Sequence, residues 1–119
     1  MRHRVKNKRA NRNKSGGHMG SMVTNLAVSV ILYEKVKTTV PRAKLVRPMI
    51  EKAITLAKKK TVPEAMRLLN QLLPDENAAR KLTQDLKKRY ENRTSGFVRL
   101  RRGGFRSGDS APVMFIELV

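Results

Sequence analysis

Met19, Met22, Val23, Leu26, Ala27, Val30 and Ile31 recur at intervals of three and four residues. That spacing predicts a helix with one apolar stripe turned to a core. Lys35-Val36-Lys37-Thr38-Thr39-Val40 then alternates and is rich in β-branched residues, the pattern of a short strand. Pro41 suits a helix start. Val46, Met49, Ile50, Ala53, Ile54 and Ala57 mark the apolar face of a second helix running from Ala43 to Lys60. Pro48 lies within it, so the helix is kinked there or becomes regular only near it. Thr61-Val62-Pro63-Glu64 resembles a capping box. It opens a third helix that reaches Leu73 with the stripe Ala65, Leu68, Leu69 and Leu72. Pro74-Asp75 ends that helix, and Asp75 is the expected N-cap of a fourth with the stripe Ala78, Ala79, Leu82, Leu86 and Tyr90.

After Ser95-Gly96 the period changes to two. Phe97, Arg99 and Arg101 are expected to point one way, and Val98 and Leu100 the other. Gly103-Gly104 and Gly108-Asp109-Ser110-Ala111-Pro112 read as turn chemistry, and Val113 to Val119 is an apolar strand interrupted by Glu117. The two runs predict an antiparallel hairpin with a long loop, joined by the strand near Val36. The fold expected is α+β, with three to four helices packed on one face of a small mixed sheet of about three strands.

Residues 1–17 stand apart. They show neither period, few apolar side chains, and a break at Ser15-Gly16-Gly17. They read as a basic extension that orders only against a partner, leaving residues 18–119 as a single globular domain.

Charge changes the picture most. The chain of 119 residues holds 27 Lys and Arg against 9 Asp and Glu, a net charge of +18. A compact monomer with that surplus calls for a polyanion, and nucleic acid is the commonest. Residues 1–22 carry seven basic groups and no acid, residues 23–60 nine and two, residues 61–92 six and five, and residues 93–119 five and two. The nearly balanced region 61–92 is therefore expected to face away from the polyanion.

Other classes are weaker. No apolar run approaches the roughly 20 residues of a spanning helix, and no secretory pattern follows the charged start. Absence of cysteine removes disulfides and thiolate chemistry. The two histidines, His3 and His18, have no partner pattern for a metal. The acids form no recognisable catalytic pair, and those in helices suit ion pairs or caps. Gly103-Gly104-Phe105-Arg106-Ser107-Gly108 lacks the endings of nucleotide-binding loops. No enzyme, cofactor, metal, membrane or small-molecule substrate is indicated, and residence in the cytoplasm fits.

The candidate nucleic-acid contacts fall in three groups. Arg2, His3, Arg4, Lys6, Lys8, Arg9, Arg12 and Lys14 lie in the extension, with His18 where the first helix begins. Lys35, Lys37 and Arg42 surround the first strand, and Arg93, Arg99, Arg101, Arg102 and Arg106 surround the hairpin. Flexible cations of this kind neutralise phosphates. Phe105 suits either base stacking or burial in its loop.

The motifs also carry a resemblance. Met1-Arg2-His3-Arg4, Tyr33-Glu34-Lys35-Val36-Lys37-Thr38-Thr39-Val40-Pro41-Arg42-Ala43-Lys44, Ile54-Thr55-Leu56-Ala57-Lys58 and Phe97-Val98-Arg99-Leu100 occur in order. Gly104-Phe105-Arg106-Ser107-Gly108-Asp109-Ser110-Ala111-Pro112 and Ile116-Glu117-Leu118-Val119 complete the series. Nearly the whole chain is similar to the bacterial large-subunit ribosomal protein seventeen family. That resemblance implies a non-enzymatic structural constituent of the large (50S) ribosomal subunit. It implies binding to large-subunit (23S) ribosomal RNA near the peptide exit side, with neighbouring ribosomal proteins as partners. Charge by itself leaves a DNA-binding or packaging protein as the alternative.

Overall fold

The computed structural model describes the chain from Gly16 to Val119, with side chains from residue 20 onward. Helix α1 spans Gly16–Tyr33, strand β1 Lys35–Thr39, helix α2 Val40–Lys59 and helix α3 Val62–Leu72. Helix α4, Glu76–Lys81, runs on through a π-helical stretch, Leu82–Leu86, and a last turn, Lys87–Arg89. Strands β2, Val98–Phe105, and β3, Pro112–Leu118, close the chain. The fold is α+β, helices packed on a three-stranded sheet of order β1-β3-β2.

Both pairings are antiparallel, which corrects the expectation of a mixed sheet. The cause is the apolar character of β3. Burial favours the centre for it, and β1 and β2 each run against it rather than against one another. Gly16 and Gly17 lie in the first turn of α1 rather than in a break.

The stripes read from the sequence form one core, apart from Leu68, which stays half-buried outside it, and Met19, whose side chain lies outside the described residues. Ala27, Val30 and Ile31 of α1 are fully buried with Ala43, Val46, Ile50 and Ala53 of α2. Ala65 and Leu69 of α3 join them, as do Ala78, Ala79, Leu82, Leu86 and Tyr90 along the fourth helix. Ile116 at the sheet centre is fully buried too, with Val36 and Leu100 packed beside it. Truncating a residue such as Ile116 to Ala costs about 2–5 kcal/mol by lost contact and residual cavity.

Local details explain the element ends. Helix α2 continues through Pro48, an exposed position. Proline has no N–H to offer the Lys44 carbonyl, and an exposed carbonyl turns to water instead. Asp75 caps the fourth helix as expected, accepting from the Asn77 N–H at 2.7 Å. Thr61 makes no side-chain cap, so the expected capping box does not form. Pro63, already preset for the first turn, starts α3 without it. The π-helical stretch had no sequence signature. There the Lys87 N–H donates five residues back to the Leu82 oxygen. Within it, the Thr83 hydroxyl donates back to the Ala79 and Arg80 carbonyls at 3.1 Å each, competing for backbone acceptors.

Phe97 departs from the expected alternation. Strand β2 begins one residue later, so Phe97 does not share a face with Arg99 and Arg101. Its ring is buried 5.1 Å from that of Tyr90. Glu51 of α2 fixes this entry, its two carboxylate oxygens accepting the N–H groups of Phe97 and Val98 at 3.3 and 3.1 Å. Gly103-Gly104 also departs, lying inside β2 rather than in a turn. A Cβ on Gly103 would stand 3.0 Å from the Phe115 ring, and Gly104 adopts a φ of 88° where the register shifts before Phe105. The strand therefore needs glycine for close approach and for a bulge.

Candidate nucleic-acid interface

Register and pleat together build one face of the sheet. Lys35 lies opposite Glu117 and Glu117 opposite Arg99, while Lys37 lies opposite Phe115 and Phe115 opposite Arg101. Strand residues alternate faces. With Val36, Ile116 and Leu100 packed into the core, these six side chains stand on the opposite face. Four of the six are cations and one is an acid.

Glu117 is the hub of this face. Its carboxylate meets Arg99 and Arg101 at 2.8 Å each and Lys35 at 3.7 Å. The side chain of Glu117 is 10% exposed, whereas Lys35, Arg99 and Arg101 are 53%, 62% and 54% exposed. The acid lies beneath its cations. Hydrogen bonding from Arg99, with the charges of Arg101, Arg99 and Lys35, holds the Glu117 carboxyl below its ordinary value. Arg99 uses Nε and one terminal nitrogen on Glu117. A guanidinium has five N–H donors, so Arg99 keeps donors for a second anion. Phe115 is covered similarly. Lys35, Lys37 and Arg101 stand 4.7, 5.9 and 5.1 Å from its ring centroid. Such contacts are worth about 0.5–1 kcal/mol each at exposed sites. They orient the cations and occupy the ring, so this face suits phosphate better than a stacked base.

The sheet ends in a second basic feature. Lys37, Thr38, Thr39, Arg42, Arg106 and Val113 line a cavity of about 330 Å³ where α2 begins. Arg106 is held by Asp109, Nε to Oδ1 at 3.1 Å, and Asp109 also accepts from the Ala111 N–H at 3.2 Å. The paired Arg106 guanidinium, with that backbone bond, pulls the Asp109 carboxyl down to about 2. Arg102, one residue out of phase with Arg101, lines a neighbouring cleft with Lys44 and Phe105. Phe105 itself is 75% exposed, so it is not buried in its loop.

Of the residues expected from the sequence, Lys35, Lys37, Arg99 and Arg101 come together on the face, and Arg42, Arg102 and Arg106 gather at its end. Arg93 does not join them. It belongs to the turn after the fourth helix, where its carbonyl accepts from Lys58 and its guanidinium donates to the Gly96 oxygen at 3.2 Å. Arg2, His3, Arg4, Lys6, Lys8, Arg9, Arg12 and Lys14 lie outside the described residues, as does the side chain of His18.

Sequence reasoning missed Glu117 as an organiser and Lys44 as a member of the cluster. The lone acid in an apolar strand was the available signal, since period two sets Glu117 out of the core with Phe115. It also missed Glu34, which joins elements distant in the chain. Glu34 binds Lys81 at 3.0 Å and Arg89 at 2.9 Å. Among the described residues no group of His, Cys, Asp and Glu could hold a metal ion, and no helix is long and apolar enough to cross a membrane.

The geometry defines a small, strongly basic α+β protein whose cations are arrayed on the sheet face opposite its core. Residues 22–119 match the model of the family described as ribosomal protein L17. The chain is 44% identical over its whole length to the large ribosomal subunit protein bL17 of Orientia tsutsugamushi (strain Boryong), covering 80% of that protein. It is 42% identical to the proteins of the same name from Rickettsia typhi and Ehrlichia chaffeensis, covering 85% and 90% of them. The chain belongs to the ribosomal protein L17 family.

Proposed function

We propose that this protein is a structural, non-enzymatic constituent of the bacterial large ribosomal subunit. It binds and stabilises large-subunit ribosomal RNA near the peptide exit side, in the cytoplasm, beside other ribosomal proteins. Family membership supports the ribosomal role. The observation that carries RNA contact is the sheet face, where Lys35, Arg99 and Arg101 surround a single covered acid and Lys37 stands beside them over Phe115. Folded RNA presents phosphates in irregular arrays, and cations held at fixed spacing match them better than a flexible tail alone. The extension at residues 1–17 adds further cations, and the hairpin with Arg102 and Arg106 extends the surface. The nearly balanced region 61–92, with α3 and the fourth helix, serves the core.

Fractionation of a lysate on a sucrose gradient, with immunodetection before and after a moderate-salt wash, tests the ribosomal role. Co-migration with the large subunit is the expected result. Large subunits lacking the chain, with the chain free or on DNA, would restore the DNA-packaging alternative. A competition between duplex DNA and ribosomal RNA separates the two readings directly, since equal affinity for both contradicts specific RNA binding. Removal of residues 1–17 is expected to leave the domain folded and to weaken RNA binding. Unchanged affinity would exclude the extension from the interface.

A further inference from the structure

We infer that the end of the sheet holds a receptor for one unstacked RNA nucleotide, with separate places for its base and its phosphate. The inference rests on the RNA-binding reading and sharpens it. Two cavities meet there, and Val113 lines both. One, of about 380 Å³, is lined by Val40, Gly104, Phe105, Pro112 and Met114 together with Lys44 and Arg102. The other, of about 330 Å³, brings together Lys37, Arg42 and Arg106. Each volume is at the small end of the roughly 300–1,000 Å³ range of small-ligand sites. The apolar cavity beside a basic one fits an object with a flat apolar part and an anionic part.

Phe105 decides what that object is. It follows the bulge in β2, and its ring is 75% exposed. An exposed phenylalanine on a polar surface gains little unless a partner covers it. Phe115 on the neighbouring face is already occupied by Lys35, Lys37 and Arg101. Phe105 has no such cover among the described residues, and a nucleobase stacks on a ring of this kind without regard to sequence. The charge around it is one-sided. Lys37, Arg42, Lys44, Arg102 and Arg106 line the two cavities, no acid among the described residues lines either, and the nearby Asp109 is bound to Arg106. The base lies against Phe105 in the apolar cavity, and its phosphate lies among Lys37, Arg42 and Arg106. Single-stranded loops and bulges of folded RNA supply nucleotides in this state.

The test uses the full chain and two fluorescent probes, a hexamer of adenylate and the same hexamer with abasic residues throughout. Fluorescence anisotropy at low salt reads the affinity for each. The wild type is expected to favour the base-bearing hexamer by roughly five- to a hundredfold, the range for one stacked base. Phe105→Ala abolishes that preference with little change on the abasic chain, and Phe105→Trp retains it. Arg42→Ala weakens both probes alike. Phe105 is exposed, so unchanged thermal unfolding of Phe105→Ala confirms that the fold is intact. Equal affinity of the wild type for both probes, or a preference that survives Phe105→Ala, overturns the inference. So does a hexaglutamate peptide that displaces the adenylate hexamer as well as unlabelled hexamer does, because the site then takes acidic peptide. Ribosomal RNA measured in parallel separates the readings. If it binds normally while base preference is absent, only the nucleotide receptor fails; if it does not bind, the RNA-binding reading fails first.

Discussion

Two acids in this cation-rich chain have similar neighbours and different consequences. Glu34 follows α1 in the left-handed region, with a φ of 64°. That backbone costs about 1–2 kcal/mol for a residue with a Cβ. It turns the chain sharply into β1, and the side chain ties that corner to the fourth helix through Lys81 and Arg89. The Leu118 N–H also donates to the Glu34 carbonyl at 3.0 Å. Glu117 instead sits on a single sheet face with Lys35, Arg99 and Arg101 over it. Its partners are cross-strand neighbours whose strands already pair, so the ion pairs add little to connectivity. The acid sets where exposed cations stand. An acid among many bases can hold a fold together or can organise a surface for an anion, and the elements it joins show which.

The largest effect expected from this contrast comes from the double change Arg99→Ala and Arg101→Ala. Loss of two phosphate contacts weakens binding to large-subunit RNA by roughly ten- to a hundredfold and reduces the salt slope by about two. Thermal unfolding stays close to wild type. A large fall in melting temperature with unchanged affinity would reverse the roles assigned to the two regions.

Glu117→Gln is the sharper test. It adds positive charge, so charge counting predicts tighter RNA binding. Positioning predicts weaker binding to folded ribosomal RNA, by roughly two- to tenfold, because the arginines must be ordered on association. Heparin, which tolerates any arrangement of cations, is expected to bind at least as well as before. Tighter binding to both ligands would leave Glu117 without a positioning role.

Glu34→Gln carries a smaller effect, on stability alone. Its ion pairs are part-exposed and screened, so denaturant unfolding is expected to show a loss of about 1 kcal/mol or less. The pH dependence has a definite sign. Hydrogen bonds from Arg89 and Lys81 hold the Glu34 carboxyl below its ordinary 4.5. The unfolded chain therefore takes up a proton first as the medium acidifies. Stability from this group is complete above 4.5 and is lost as pH falls through the lower folded value. Glu34→Gln should lose less stability than wild type over that interval. Identical acid profiles would remove the ion pairs from the account.

The repeating parts of this molecule were legible in the sequence. Val30, Ile50, Leu69 and Leu86 are buried where helical spacing puts them, and Val36 and Leu100 pack against the core by alternation. Asp75 caps as its chemistry predicts. What escaped depends on which distant segments meet. Nothing local to Glu34 names Arg89, and nothing local to Glu51 names the N–H groups of Phe97 and Val98. Alternation puts Phe97 on the wrong face because it does not mark where a strand begins. The π-helical stretch from Leu82 to Leu86 leaves the positions of the apolar stripe plausible for an α-helix, so periodicity passes over it. For the interface, the arginines of β2 were visible as a pattern. Their gathering with Lys35 and Lys37 required the register across β3, which no single strand encodes.

Lysine acetylation footprinting tests the placement of the interface most directly. The protein is acetylated briefly, free and bound to large-subunit ribosomal RNA, and the modified sites are read by mass spectrometry. Lys35 and Lys37 on the sheet face are exposed in the free protein, as is Lys88 at the end of the fourth helix. The account predicts that RNA protects Lys35 and Lys37 and leaves Lys88 reactive. Protection of Lys88 with undiminished acetylation of Lys35 and Lys37 would contradict it and place the RNA against the helices.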